Sequence, residues 1–447
     1  MSLSLFPSEI VSNILEYAPE SICHLLHTGD GLLRSKMRYR ASAQLSTNFE
    51  LIQLIKAKLR LVWLSTKVSP TFIEIMRLSW LETLNMSHSG LTWIPYQLGL
   101  LPSLKTLDLS HNFLRWIPAQ LGFLLSLEKL NLSNNWLTVI PPELDSLSSL
   151  KTLNLSRNDL TWIPSELGSL LSLETLDLTC NKLKWIPSEL GSLSSLKDLD
   201  LSFNKFTIVP IQICSLLSLK EFRMSGNQLR SIPSEICSLP SLKWLDLSCN
   251  LLASIPSKIG SLSSLEVLDL YRNQLTSVPA ELSFLSALQE LNLSTNQLTS
   301  IPSELGSLPS LKILELSENE LTSVPGELGF LSSLELLDLY RNQLTSVPPE
   351  LGSISSLITL NLFQNKLTSI PPELGSLSSL EELDLSQNDL TQIPPELGSL
   401  SSLRVLVLSD NDLDGLPFEL DSFPSLKTFD VSGNDNWNIF DDGGDIW

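Results

Sequence analysis

An asparagine recurs every 23 residues along most of this 447-residue chain, and no other feature limits its folding as strongly. The asparagines are Asn112, Asn135, Asn158, Asn181, Asn204, Asn227, Asn250, Asn273, Asn296, Asn319, Asn342, Asn365, Asn388, Asn411 and Asn434, without insertion or deletion between them. Around each runs the frame L-x-x-L-x-L-x-x-N-x-L-x-x-I-P-x-x-L-G-x-L-x-x, as at Leu104 to Asn112 with Leu114, Ile117-Pro118 and Leu121-Gly122. An earlier copy over residues 81–89 carries Ser89 in place of the asparagine, which makes sixteen copies. A short fixed period predicts a stack of like coils, each buried only by its neighbours.

Within a coil, x-L-x-L-x alternation sends both leucines to one face, as a half-buried strand requires. Successive strands then stack in parallel, and the rest of the coil is the crossover between them. Its Pro-Ser-Glu-Leu-Gly piece allows a turn or so of helix before the glycine ends it. The asparagine follows the strand where the chain turns inward. Backbone groups buried there lack ladder partners, and an Asn amide supplies both a donor and an acceptor. About six apolar side chains per coil are expected inside, at roughly 1.5–3 kcal/mol each.

Period, L-x-L strand and inward asparagine together resemble the leucine-rich repeat family over residues 81–434. The I-P-x-E-L-G variant is most similar to the intracellular repeats of Ras-binding leucine-rich-repeat scaffolds and their plant relatives. The expected fold is an α/β solenoid: a curved horseshoe of about 16 coils with a parallel concave sheet and short helical or 3-10 convex segments. A small all-α cap domain over residues 1–80 precedes it, and residues 435–447 form a C-terminal cap and acidic tail, with Trp437 and Phe440 folded over the open end.

The first copy exposes a leucine edge that residues 1–80 are expected to cover as short helices. Their opening, Leu5-Phe6-Pro7-Ser8-Glu9-Ile10 with Ile14-Leu15 and Tyr17-Ala18-Pro19, resembles the first helix of an F-box, loosely continued to residue 40. The basic-Trp element of the second half is replaced by Leu32-Leu-Arg-Ser-Lys-Met. The resemblance implies that Pro7, Ile10, Ile14 and Leu15 contact the small adaptor of a cullin-type ubiquitin ligase.

Charge narrows the partners. The net charge is −20, with nine Lys and Arg against six Asp and Glu in residues 1–80, leaving −23 on the remainder. An acidic array disfavours nucleic acid and anionic membrane and favours a protein partner with a basic surface. No apolar run reaches the roughly 18 residues of a membrane span, and residues 1–7 resemble no secretory signal. Five cysteines without paired spacing fit a reducing compartment. The expected location is therefore intracellular, in the cytoplasm, or in a host cytoplasm or virion if the chain is viral.

On the concave face, the residue between the two strand leucines forms an acidic column that includes Asp177, Asp200, Asp246, Asp269, Asp338 and Asp384, with Asn spacers and one Arg223. It reads as a site for a basic partner, as Ca²⁺ bridging neighbours such as Asp177 and Asp200, or as a solvated polar face. Departures from the repeat are more specific. Trp244, Val267, Ile313 and Leu336 replace polar residues before the second strand leucine, Tyr271, Tyr340 and Phe363 replace serine after the third, and Arg272 and Arg341 flank the tyrosines. These should form one partner-binding patch of aromatic anchors and guanidinium groups.

Trp93, Trp116, Trp162 and Trp185, with Val139 and Ile208, make a second stripe just before Ile-Pro, and from Ser231 that column is almost all serine. It is expected to pack inside the molecule, in local core or against the N-terminal region, the alternative being a second docking surface. Cys214 and Cys237 take the glycine position of adjacent coils and are expected to remain thiols. No nucleophile–base pair, phosphate-cradling loop or metal set emerges, and Cys23, His24 and His27 lack a second ligand pair, so no enzyme, cofactor or metal site is expected. Two roles remain open: a protein-binding scaffold, in its sharpest form a ubiquitin-ligase substrate receptor, or an architectural subunit of a larger assembly.

Overall fold

The structure, a computed structural model, describes residues 81–417 and 423–434. The expected helical cap, with Pro7, Ile10, Ile14 and Leu15, and the acidic tail lie outside the described residues. The chain divides into two compact units, the first ending at Asp177 and the second starting at Leu178.

In the first unit each coil contributes one three-residue strand: β1 (Thr83–Asn85), β2 (Thr106–Asp108), β3 (Lys129–Asn131), β4 (Thr152–Asn154) and β5 (Thr175–Asp177). They pair in parallel in chain order, so Leu84 faces Leu107, then Leu130, Leu153 and Leu176 follow in register. The second unit repeats this with β6 (Asp198–Asp200), β7 (Glu221–Arg223), β8 (Trp244–Asp246), β9 (Val267–Asp269), β10 (Glu290–Asn292), β11 (Ile313–Glu315), β12 (Leu336–Asp338), β13 (Thr359–Asn361), β14 (Glu382–Asp384), β15 (Val405–Val407) and β16 (Thr428–Asp430). Again each strand pairs with the next in the chain, and no register slips.

The crossover is tight. The Pro of Ile-Pro is extended, and its carbonyl accepts the N–H three residues on, as Pro118 does from Leu121 at 3.1 Å, opening a five-residue 3-10 turn. Leu104, Leu107, Leu109, Leu114, Ile117, Leu121 and Leu124, the apolar positions of the frame in one coil, are all buried.

Asn296 shows how one coil is tied to the next. Its Nδ2 donates to the carbonyl of Leu270 in the preceding coil at 3.0 Å and to Leu293 and Ser294 in its own at 3.0 and 3.2 Å, while Oδ1 accepts the N–H of Leu275 at 3.0 Å. Asn112 does the same in the first unit, with Met86, Leu109, Ser110 and Leu91. One side chain thereby bonds four backbone groups shared between two adjacent coils. Ser89 makes only hydroxyl bonds within its own coil, to Met86 and Ser87, and its N–H is taken by Asn112.

Two backbone features depart from the sequence reading. The residue before each ladder asparagine is left-handed whatever its type, with φ between 51° and 55° at residues as different as His111, Arg157, Phe203, Thr295 and Asp410. Its N–H donates to the carbonyl after the next strand, as Thr295 does to Ser317 at 2.8 Å. That inward turn holds the strain in place, at about 1 kcal/mol or more per residue. The Leu-Gly glycines, expected only to end the turn, do so without a left-handed conformation. They are there for space: a Cβ on Gly122 or Gly306 would collide with the carbonyl oxygen of Glu143 or Glu327 in the following coil.

Candidate protein-binding surface

On the strand face of the second unit, the side chains flanking each buried leucine point out in columns set by the strand register. Trp244 stands beside Val267, but Glu290 follows Val267 and precedes Ile313 and Leu336. In the column after the strands, Tyr340 and Phe363 stack at 5.1 Å with planes 6° apart, whereas Ser294 and Ser317 separate Tyr340 from Tyr271. The expected single patch is therefore two clusters, one around Trp244, Val267 and Tyr271 and one around Ile313, Leu336, Tyr340 and Phe363. Arg272 and Arg341 occupy exposed left-handed positions beside the tyrosines, and Arg341 lies 4.0 Å from Glu318.

The acidic column has a structural duty that sequence reasoning missed. Oδ1 of Asp246, Asp269, Asp338 and Asp384 accepts the N–H two residues on, at 2.9, 2.9, 3.0 and 2.9 Å, and Asp200 accepts that of Ser202 at 2.8 Å. Asn292 and Asn361 accept the same bond at 2.9 and 3.0 Å, which explains why Asp and Asn interchange in this column. These carboxylates are thus partly engaged by the chain itself.

That remaining charge is poorly solvated. Burial, helped by Asp246, pushes the Asp269 carboxyl up to about 6 despite its hydrogen bond to Tyr271. Burial likewise raises Asp338, and it raises Glu315 with Asp338, Asp269 and Glu290 adding repulsion. Arg223 relieves the field locally: it donates to Asp198 at 2.9 Å and to Glu221, and its guanidinium sits 5.5 Å above the Trp244 ring. Asp177, at the end of β5, is half-buried.

The tryptophan stripe is not local core. Trp116 and Trp162 in the first unit are 50% and 40% exposed, and Trp185 in the second is 55% exposed; Val139 and Ile208 are exposed and Trp93 is half-buried. Before Ile-Pro the chain bends, so this side chain points out while the residues two before and one after it point in. A neighbouring aromatic pair was missed: exposed Phe113 and Trp136 lie 5.0 Å apart with Arg115 over Trp136 at 5.9 Å. Both replace a polar residue directly after the ladder asparagine, a signal visible in the column. Phe123, Phe284 and Phe330, at the end of 3-10 turns, are exposed as well. Cys214 and Cys237 are free thiols, with burial pushing Cys237 up to about 11. Among the described residues, no three His, Cys, Asp or Glu side chains gather as a metal site.

Parallel one-strand coils tied by an asparagine ladder define a repeat protein of stacked like coils. Two leucine-rich repeat profiles match, one described as a leucine-rich repeat region over residues 211–318 and 299–416, the other as a leucine rich repeat over residues 102–160, 125–183 and 171–229. Similar solved structures include a leucine-rich-repeat protein of Leptospira interrogans, 38% identical over 81% of this chain and 93% of that one, with a TM-score of 0.77. The plant peptide hormone receptor RGFR1 in complex with RGF2 is 32% identical over 80% of this chain and 60% of its own, with a TM-score of 0.68. The ectodomain of the membrane receptor kinase GASSHO1/SCHENGEN3 from Arabidopsis thaliana, in complex with Casparian strip integrity factor 2, is 34% identical over 80% and 48%, with a TM-score of 0.61. No curated protein sequence matches significantly. The chain belongs to the leucine-rich repeat family, whose members generally mediate protein–protein interaction.

Proposed function

We propose that this chain is a non-enzymatic scaffold that captures a protein segment bearing basic groups on the strand face between Arg223 and Phe363. The observation that carries the reading is a motif that occurs twice. Along β9 and just past its end the outward side chains run Val267, Asp269, Tyr271, and along and just past β12 they run Leu336, Asp338, Tyr340, each a partly desolvated carboxylate between an apolar and an aromatic neighbour. An incoming ammonium or guanidinium meets acids that have already lost much of their hydration, with apolar walls for its stem. The two acids are three strands apart, about 14 Å, which four residues of extended peptide span. That two similar structures are receptors in complexes supports a protein or peptide ligand.

The test is selection of peptides from a random library on the full-length chain, followed by titration of the enriched sequences. Peptides with two basic residues among aromatic or aliphatic ones are expected, with binding reduced about tenfold or more by Asp269→Lys or Asp338→Lys. Enriched peptides lacking basic residues, or binding indifferent to both changes, would overturn the reading.

In the finer form of the proposal, residues 5–40 present Pro7, Ile10, Ile14 and Leu15 to a ubiquitin-ligase adaptor, and the chain works inside the cell. The sequence resemblance supports the first point and the free thiols of Cys180, Cys214, Cys237 and Cys249 support the second. Adaptor recovery with the full chain, lost on Pro7→Ala with Ile10→Asp, tests it. An abundant protein that co-purifies in fixed ratio instead would favour the architectural role.

A further inference from the structure

We propose that the aromatic edge of the first unit, formed by Phe113, Trp116, Trp136, Val139 and Trp162, is the interface of a two-fold symmetric dimer, in which a second copy of this chain lays the same edge antiparallel against it. The repeat supplies its own control for what this edge needs. From Ser231 to Ser369 the tryptophan column carries an exposed serine in seven successive coils, and those coils keep the same strand, ladder and turn. A tryptophan there is therefore unnecessary for building a coil. An exposed row of large apolar side chains rimmed by polar ones marks an interaction surface.

The edge is continuous across three coils. Phe113 and Trp136 lie 5.0 Å apart, Arg115 lies over Trp136 at 5.9 Å, and the backbone N–H groups of Phe113, Trp136 and Asp159 each donate to the preceding coil, at 2.7, 2.9 and 2.9 Å. Its five apolar side chains are 40–50% exposed. At about 150–250 Å² for an aromatic side chain, about 500 Å² of apolar surface is open on one copy and about 1,000 Å² on two, the area at which an interface becomes specific. Arg115, Thr138 and Thr161, exposed beside the aromatics, extend it.

The surface that fits this edge is a second copy of it. The tryptophan row advances by one coil at a time, about 4.8 Å, and a second copy carries the same row at the same spacing, so each coil finds its counterpart without distortion. Pairing one patch with itself about a two-fold axis also closes the assembly. Charge sets the direction. The chain as a whole carries −20, but over residues 113–116, 136–139 and 159–162 the only charged residues are Arg115 and Asp159, one at each end of the edge. Antiparallel pairing about Val139 sets Arg115 of each copy toward Asp159 of the other and Trp116 toward Trp162, whereas parallel pairing opposes like charges. The inference is independent of the partner-binding reading, since it uses the edge that follows the ladder asparagines and not the strand face.

Sedimentation velocity of the full-length chain across a dilution series tests it. The parent is expected to show twice the mass of one chain and to dissociate on dilution. Trp116→Ser with Trp162→Ser, which installs the residue that later coils carry and so keeps the fold, should raise the dissociation constant about tenfold or more. Arg115→Asp and Asp159→Arg chains should each self-associate more weakly than the parent, and mixing the two should restore the dimer, because every contact between positions 115 and 159 in the mixed pair then joins unlike charges. A chain that is monomeric at every concentration, as it is if its own N-terminal residues or another protein cover the edge, would overturn the proposal. So would a dimer indifferent to the serine pair, or charge-reversed chains that fail to recover it on mixing.

Discussion

Asp269 accepts the N–H of Tyr271 at 2.9 Å, yet the penalty of burying its charge beside Asp246 outweighs that bond. The carboxyl titrates near 6, against about 3.9 for an unfolded Asp. Between about pH 4 and 6 the folded protein holds a proton that the unfolded chain has lost, so the group favours folding most below pH 4 and loses that contribution as pH rises through 6. Asp269→Asn keeps the acceptor, as Asn292 does for Ser294, and removes the charge. It should stabilise by about 1–2 kcal/mol at pH 7.5 and by almost nothing at pH 4 in urea titrations. An advantage equal at both pH values would refute the burial argument.

Removal of a ladder amide should be expensive. Asn296→Ala leaves the carbonyls of Leu270 and Leu293 and the N–H of Leu275 short of partners, with an expected loss of about 3 kcal/mol or more. Faster hydrogen exchange at the Leu275 amide locates the damage. Asn296→Ser should lose less, because a serine hydroxyl can bond within its own coil as Ser89 does to Met86.

Thr295 is a β-branched residue held at φ 54°, where L side chains are strained. Thr295→Gly should raise stability by about 0.5–1 kcal/mol, the relief of strain exceeding the added freedom of the unfolded chain. Gly226 holds the same position at φ 64°, and a Cβ there would lie 2.5 Å from the Phe203 ring. Gly226→Ala should therefore lower stability by about 2 kcal/mol. Opposite shifts in the two thermal transitions are the outcome to look for.

At the Leu-Gly turn, Gly329→Ala drives a methyl into the carbonyl of Glu350 and should lower stability by about 2–3 kcal/mol. Gly415, with nothing near its would-be Cβ, should accept alanine with a change below about 0.5 kcal/mol. Equal costs at the two sites would show that backbone freedom, not coil spacing, selects glycine here.

The candidate surface was legible where a residue broke its column: Trp244, Tyr271, Tyr340 and Phe363 are all placed outward, as their positions in the period imply. Less legible was how they group. Glu290, Ser294 and Ser317 read as ordinary repeat residues, yet their place between the anchors splits one expected patch into two. Arg223 looked like a charge spacer, and its commitment to Asp198, Glu221 and the Trp244 face depends on side chains brought from neighbouring strands.

The period alone determined the strand positions, their parallel order, the buried leucines and the inward asparagines, because alternation and a constant repeat length leave one way to bury every coil. Tertiary structure decided what each coil does to the next. Left-handed residues before the asparagines, glycines selected for a carbonyl one coil away, tryptophans that face outward and an Asp269 carboxyl raised to about 6 all arise from contacts between residues about one repeat apart. Those contacts depend on the spacing and tilt of stacked coils, which the identity of any single residue does not encode.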